Sequence, residues 1–179
     1  LGGLFASLRR VDRRIGVILP RTRLTGSPAR CHRPGAKRRR ILAIKVAVIG
    51  LGKMGLSHLA IVNALADFEV TAICDSAALV GQVIEKYGKL RYVGKYEDVL
   101  ALPDIDAVII ATPTTSHAPM VRQALARGLH VFCEKPLTLT SAESEELSAL
   151  AQSRNLIAQV GYHNRFIGTF NEVKKLVDS

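Results

Sequence analysis

Residues 44–75 read IKVAVIGLGKMGLSHLAIVNALADFEVTAICD, and this stretch decides the fold. It contains an apolar run, a glycine turn, a helical segment, a second apolar run and an acid. Residues 46–49 are an uninterrupted apolar run, as in a strand that is buried on both faces of a parallel sheet. Residues 56–66 repeat apolar side chains at roughly helical spacing, and residues 70–74 form the next apolar run. This order predicts a β-α-β unit.

The glycine turn, residues 50–55 (GLGKMG), fits the pattern G-x-G-x-x-G. Gly50 permits the tight turn out of the strand, and Gly52 has no Cβ to hold a pyrophosphate away from the backbone. Gly55 lets the next helix pack closely on the sheet. The helix N-terminus, at Lys53 and Met54, offers free N–H groups to phosphates. The pattern predicts a dinucleotide site; the alternative is a glycine-rich turn that binds nothing.

Asp75 ends the second apolar run, 25 residues beyond Gly50. This offset is close to the roughly 20 residues expected for the acid that hydrogen-bonds an adenosine ribose. A carboxylate at this position repels a 2′-phosphate, and residues 76–78 (SAA) provide no Arg or Lys to attract one. We therefore expect the cofactor to be NAD in preference to NADP.

The formal net charge of +10 is carried by the first forty residues. Residues 1–40 hold twelve Arg or Lys and one acid, whereas residues 41–179 hold 13 basic and 14 acidic residues. Proline and glycine interrupt the basic segment, so we expect it to be disordered. Three interpretations stay open: a transit peptide, a basic arm for nucleic acid or acidic partners, or translated sequence upstream of the true start. We favour the third because the chain begins at Leu1 without Met, and we do not expect nucleic acid as a partner.

The three cysteines, Cys31, Cys74 and Cys133, show no C-x-x-C or metal-ligand spacing. Reduced, buried thiols of a cytoplasmic protein are the expected interpretation. No cluster of metal ligands is visible, so no metal is expected. No apolar stretch approaches the roughly 18 residues of a transmembrane helix, so a membrane is not an expected partner.

The alternation of helical and strand patterns continues after Asp75. Gly88 suits a left-handed position after one helix, Gly128 ends another, and Ser141 resembles the N-terminal cap of a third. Helices are predicted over residues 77–87, 96–102, 117–127, 141–154 and 167–177, and strands over residues 91–93, 105–111, 129–133 and 156–162. Six strands alternating with helices predict an α/β fold with a doubly wound parallel sheet and right-handed crossovers. Residues 41–179 form this domain.

The polar segments of the chain follow the predicted strands directly. These segments are the glycine turn, Asp75, and residues 112–117, 134–136 and 162–165. In doubly wound sheets, ligands bind outside the carboxyl ends of the strands, near the switch in strand order. We therefore expect all five segments to meet in one crevice.

Three of these segments make a family resemblance specific: residues 111–117 (ATPTTSH), 128–137 (GLHVFCEKPL) and 160–166 (VGYHNRF). With the glycine turn, they resemble the Gfo/Idh/MocA family of sugar and inositol dehydrogenases. The resemblance covers about residues 41–179 and corresponds to that family's N-terminal, Rossmann-fold cofactor domain. It implies that the three glycines hold the pyrophosphate and Asp75 the ribose. It also implies that Thr112, Pro113 and His117 line the cofactor near its nicotinamide half, with Glu134 beside the nicotinamide.

Lys135 is the catalytic residue that the resemblance implies. It would sit beside the nicotinamide, bind the substrate hydroxyl and assist proton movement, and Arg165 would help to place a polar or anionic substrate. Each assignment has a structural alternative. Lys135 would then be a solvated lysine in a turn, and His117 would merely begin a helix. His58 is expected to be structural, whereas His163 faces either substrate or solvent.

The expected function is hydride transfer between a nicotinamide cofactor and a secondary alcohol of a sugar, inositol or related polyol. The alternative is a non-catalytic NAD-binding regulator or interaction module. Family members run to about twice this length and carry a C-terminal α+β substrate domain, often with a catalytic D-x-x-x-H helix that is not found here. We expect a truncated sequence that binds NAD but turns over little substrate, and a homo-oligomer for the full-length protein.

Overall fold

The computed structural model describes residues 43–88 and 90–178, so the prediction for residues 1–40 lies outside the described residues. Strands and helices alternate along the described part of the chain. The strands are β1 (Ile44–Ile49), β2 (Phe68–Cys74), β3 (Arg91–Val93), β4 (Ala107–Ile110), β5 (His130–Cys133) and β6 (Ala158–Val160). The helices are α1 (Lys53–Asn63), α2 (Ala78–Gly88), α3 (Tyr96–Leu100), α4 (His117–Arg127), α5 (Ser141–Ser153) and α6 (Gly168–Val177).

The strands form one parallel sheet in the order β3-β2-β1-β4-β5-β6. The strand order reverses between β1 and β4, because the chain first moves outward to β3 and then returns to the other side of β1. This is the doubly wound α/β arrangement that the alternation predicts. The switch point places the ends of β1 and β4 side by side, where such sheets bind ligands.

The core has two layers because successive side chains of a strand point to opposite faces of the sheet. In β1, Val46 and Val48 join one buried cluster with Leu59 and Val62 of α1. Ala47 and Ile49 of β1 join a second cluster on the other face, with side chains from α3, α4 and α5. Both faces of the strand are apolar since both are covered by helices.

Two predicted helix caps differ from expectation. Thr140, not Ser141, is the N-cap of α5: its backbone is extended, and its side chain accepts a hydrogen bond from the Glu143 N–H. An N-cap needs that extended backbone, and Ser141 is already helical. Gly88 belongs to α2 and has no left-handed backbone, whereas Gly128 does, with φ of +87° after α4.

The predicted strands and helices all exist, with ends that shift by up to three residues. The largest shift is that of α1, which spans Lys53–Asn63 where residues 56–66 were expected. The β6 strand spans Ala158–Val160 where residues 156–162 were predicted. The β4 strand likewise begins at Ala107, two residues later than the apolar pattern suggests. Apolar residues continue past a ladder because loop side chains also pack on the core. No helix in the described ranges is both long and apolar enough to cross a membrane.

Candidate functional site

The glycine turn lies at the carboxyl end of β1. The structure explains the glycines at positions 50 and 55 but not the one at position 52. Gly50 has φ of +88°, and a Cβ there would lie 2.7 Å from the Ala111 carbonyl oxygen. A Cβ on Gly55 would collide with the Gly50 carbonyl, so α1 can approach the turn only without a side chain. Gly52 has an ordinary φ of −69°, and a Cβ there would meet nothing within 4 Å. The fold itself therefore does not require glycine at position 52.

The N-terminus of α1 faces the same space as Gly52. No side chain caps this helix, and its first turn carries no acid. Its first N–H groups, at Lys53 and Met54, therefore have no side-chain acceptor and combine with the positive end of the helix dipole. Such a terminus suits a phosphate or another anion.

Asp75 follows β2 and lies against the glycine turn. Its Oδ2 accepts a hydrogen bond from the Leu51 N–H at 2.5 Å, and its Oδ1 accepts one from the Ala77 N–H at 2.7 Å. The Tyr92 hydroxyl donates to the Asp75 carbonyl oxygen at 2.9 Å. The carboxylate is thus held in place before any ligand binds, while each oxygen retains a further lone pair.

The loop after β4 contains Thr112 and Pro113 and lies next to the glycine turn. The Ala111 N–H donates to the Ile49 carbonyl at 2.8 Å, which aligns the two loops. Thr112 is partly buried and Pro113 is exposed. Both lie at the switch point, between the glycine turn and the loop that follows β5.

His117, which was expected to line the cofactor, is a buried residue at the start of α4. Its side chain is 1% exposed, and its Nε2 and Nδ1 each lie 2.8 Å from a carbonyl oxygen, those of Thr112 and Pro136 respectively. A neutral imidazole has one N–H and can donate to only one of them at a time. The ring therefore connects the loops after β4 and β5 by contacting Thr112 and Pro136, and its contact with a cofactor stays a prediction.

Glu134 and Lys135 follow β5. The Glu134 N–H donates to the Ile110 carbonyl at 2.8 Å, which continues the β4–β5 pairing to this point. The Glu134 side chain is buried, whereas Lys135 is exposed. The Lys135–Pro136 peptide bond is cis.

The loop after β6 closes the far end of this edge. The Gly161 N–H donates to the Cys133 carbonyl at 2.9 Å. Arg165 lies beyond it in the short helical turn His163–Phe166, where it is exposed and its N–H donates to the Tyr162 carbonyl at 3.2 Å. His163 is also exposed. The structure brings the five polar segments to one edge of the sheet, in the order of the strands that carry them.

Sequence reasoning missed one contact, that of His58 in α1. His58 Nε2 donates to Glu134 Oε1 at 2.7 Å, and the two side chains are 11% and 12% exposed. A signal was present, since His58 lies three residues after Gly55 and four before Val62, on the buried face of α1. The partner across the sheet could not be read from that spacing.

The thiols beneath the crevice are unsuited to nucleophilic chemistry. Burial, with the nearby charge of Glu134, raises the pKa of Cys133 to about 12, and burial with the charge of Asp75 raises that of Cys74 to about 11. Both are free and buried, as expected, and Cys31 lies outside the described residues. Across residues 43–88 and 90–178, no group of three or more His, Cys, Asp or Glu side chains could hold a metal ion.

Comparison with known proteins supports a dinucleotide-binding domain. The Gfo/Idh/MocA family model, described as an oxidoreductase family with an NAD-binding Rossmann fold, matches residues 44–162. A scyllo-inositol 2-dehydrogenase (NAD(+)) of Bacillus subtilis is 33% identical over 138 residues, covering 76% of this chain and 40% of the relative. An inositol 2-dehydrogenase of Corynebacterium glutamicum is 35% identical over 140 residues, covering 76% and 42%.

Solved structures agree in fold. A scyllo-inositol dehydrogenase from Lactobacillus casei, with bound NAD(H) and scyllo-inositol, matches with a TM-score of 0.68 and 29% identity, over 76% of this chain and 41% of the other. A myo-inositol 2-dehydrogenase from Lactobacillus plantarum matches with a TM-score of 0.67 and 32% identity, over 76% and 41%. This chain spans about two fifths of the length of the relatives it matches.

Proposed function

We propose, from the premise that this chain belongs to the Gfo/Idh/MocA oxidoreductase family, that it supplies the NAD-binding domain of a dehydrogenase. The reaction is hydride transfer between NAD and a secondary alcohol of a sugar, inositol or related polyol. The family is NAD-binding, and inositol dehydrogenases among its relatives support the substrate class. A homo-oligomer remains our prediction for the full-length protein.

The observation that carries the proposal is the open space at Gly52. The protein provides neither a backbone nor a packing reason for glycine there, whereas a pyrophosphate lying against the bare Cα provides one. Gly50 and Gly55 shape the turn, and the first-turn N–H groups of Lys53 and Met54 hold the phosphate oxygens. The same residues thus account for both the shape and the charge of the ligand.

The order of the strands in the sheet predicts where the two ends of the dinucleotide bind. Asp75 lies on the β2 side of the glycine turn, so the adenosine ribose binds there, and the carboxylate disfavours a 2′-phosphate. The nicotinamide half then extends over the ends of β4 and β5, where Thr112 and Pro113 line it. Glu134 and Lys135 lie beside the ring at this end.

Lys135 is our candidate for the proton chemistry. The bound cofactor supplies the hydride acceptor, and the hydride leaves the carbinol carbon only as the hydroxyl loses its proton. An exposed amine at the nicotinamide end can take up that proton, and its ammonium form stabilises the developing alkoxide. Arg165, on the loop after β6, is placed to attract a polar or anionic substrate.

The test is calorimetric titration of the 179-residue chain with NAD and, separately, with NADP. NAD should bind more tightly than NADP. Asp75→Asn should weaken NAD binding at least tenfold, a cost of about 1.4 kcal/mol. The matched control is Asp106→Asn: Asp106 likewise accepts a backbone hydrogen bond, from the Lys45 N–H at 2.8 Å, but it lies at the opposite edge of the sheet.

The outcomes separate the parts of this proposal. If Asp75→Asn and Asp106→Asn leave NAD affinity equally unchanged, the ribose assignment is wrong. Tighter binding of NADP would overturn the role given to the Asp75 charge, although the crevice would stand. If a folded chain binds neither cofactor, the dinucleotide site itself is refuted.

A further inference from the structure

The buried pair formed by His58 and Glu134 joins two parts of the crevice that are far apart in sequence. His58 comes from the middle of α1, the helix whose N-terminus holds the phosphates in our proposal. Glu134 directly precedes Lys135. Their side chains meet at 2.7 Å and are almost fully shielded from solvent.

The Glu134 carboxylate is held from several sides. Its Oε1 accepts from His58 Nε2, and its Oε2 accepts from the Lys135 N–H at 3.1 Å. The Phe132 ring meets the His58 ring edge to face, with centroids 5.0 Å apart, which fixes the imidazole plane. A Cβ on Gly161 would lie 3.2 Å from Glu134 Oε1, so on the β6 side the backbone lies close to the carboxylate and an added side chain would crowd it.

Fold stability gives a poor reason for such a pair. Removing two polar groups from water costs free energy that their attraction only partly repays, and apolar side chains of similar size often stabilise a fold as well or better. The place of the pair between α1 and the end of β5, directly before Lys135, points to a role toward the ligand.

We propose that His58 is a positioning residue: through Glu134, it fixes the floor on which the nicotinamide ring rests and orients the backbone from which Lys135 projects. The inference rests on the proposed function, because it assigns the nicotinamide to the ends of β4 and β5. His58 touches neither the cofactor nor the substrate in this role. Its effect is confined to the nicotinamide half, since the ribose end is held separately by Asp75, Leu51 and Ala77.

The experiment compares NAD with ADP-ribose, which lacks the nicotinamide, by calorimetry on the 179-residue chain. His58→Leu removes the hydrogen bond and should weaken NAD binding about tenfold while ADP-ribose affinity stays within about twofold. His58→Gln places an amide N–H near the position of Nε2 and should restore NAD affinity to within about threefold. A melting curve of each variant shows whether the fold is retained.

Two further variants make the comparison decisive. His130→Leu is the matched control, because His130 is also a partly buried histidine with a hydrogen bond, from the Ile157 N–H at 3.0 Å, but at the amino end of β5. It should leave the ratio of NAD to ADP-ribose affinity unchanged. Gly161→Ala adds a Cβ 3.2 Å from Glu134 Oε1, on the β6 side of the carboxylate. It should lower NAD affinity more than ADP-ribose affinity, and this test remains if His58→Leu fails to fold.

Each outcome decides one of the two proposals. If the wild-type chain binds neither ligand, the proposed function fails, and this inference fails with it. If the wild type binds NAD and ADP-ribose equally, or if His58→Leu and Gly161→Ala weaken both ligands alike, the positioning role is refuted while the dinucleotide site stands. Failure of His58→Gln to restore NAD affinity would show that the hydrogen bond is not the relevant feature.

Discussion

The glycine turn yields a prediction in which stability and binding change in opposite directions. Gly52→Ser adds a side chain where no protein atom lies within 4 Å, at a φ of −69° that serine readily adopts. Because Gly52 is the uncapped N-cap of α1, serine supplies a capping oxygen and also restricts the unfolded chain. We expect the free energy of unfolding to rise by about 0.5–1 kcal/mol.

The same serine should abolish or severely weaken NAD binding. Its Cβ would occupy the place that we propose for the pyrophosphate, and its hydroxyl would accept the first-turn N–H groups that we propose as phosphate donors. We expect affinity to fall at least tenfold, or about 1.4 kcal/mol. Urea unfolding gives the stability change, and calorimetric titration of the same preparation gives the affinity.

Gly50→Ala is the matched comparison for Gly52→Ser. Alanine at φ of +88° is strained, and its Cβ would lie 2.7 Å from the Ala111 carbonyl oxygen. Left-handed strain and the forced displacement together should lower the free energy of unfolding by roughly 2–5 kcal/mol. Two results would contradict this reasoning: Gly52→Ser binds NAD as the wild type does, or it destabilises the fold as much as Gly50→Ala. Either would show that Gly52 is not required by the ligand, or that Gly52 and Gly50 do not differ in what the fold requires.

Three further predictions concern other parts of the domain. Tyr92→Phe removes the hydrogen bond to the Asp75 carbonyl and should weaken NAD binding by about 1 kcal/mol, measured by calorimetry; unchanged affinity would remove Tyr92 from the site. Thr140→Ala removes the cap of α5 and should cost about 0.5–2 kcal/mol of stability in urea, with NAD affinity unaltered. Burial raises the pKa of Cys133 from its ordinary 9.0 to about 12, so the unfolded thiol ionises first as the pH rises. Stability should therefore hold below pH 9 and fall between pH 9 and 12, and Cys133→Ala should flatten that fall in urea unfolding curves recorded across this range.

The sequence predicts the sheet well because its strands are buried on both faces. A run such as residues 46–49 has no polar position that could face solvent, and with a glycine turn and a helical pattern after it this indicates an inner strand of a covered parallel sheet. The segments after the strands could also be placed at one edge by topology alone. Helix caps were harder: Thr140 and Ser141 both carry a hydroxyl, and only the backbone conformation decides which of them caps α5.

The histidines show where residue type and spacing stop being sufficient. His58 and His117 both lie at helix positions turned toward the protein, but the acceptors of their hydrogen bonds come from distant segments. His58 meets a carboxylate 76 positions later in the chain, and His117 meets two carbonyl oxygens in different loops. Periodicity predicts the buried face of a helix; it does not predict which loop crosses that face, because packing in three dimensions decides it.

These buried contacts have a consequence for the energetics of binding. Asp75, His117 and Glu134 are each fixed by hydrogen bonds within the protein, so the places that we propose for the ribose and the nicotinamide need little ordering when a cofactor binds. Less ordering leaves more of the interaction energy as affinity. At Arg165, by contrast, the side chain is exposed on a short turn after β6. If Arg165 binds a substrate as we propose, ordering its side chain costs conformational entropy that the hydrogen-bonded residues do not incur, so we expect the cofactor to bind with the smaller ordering cost.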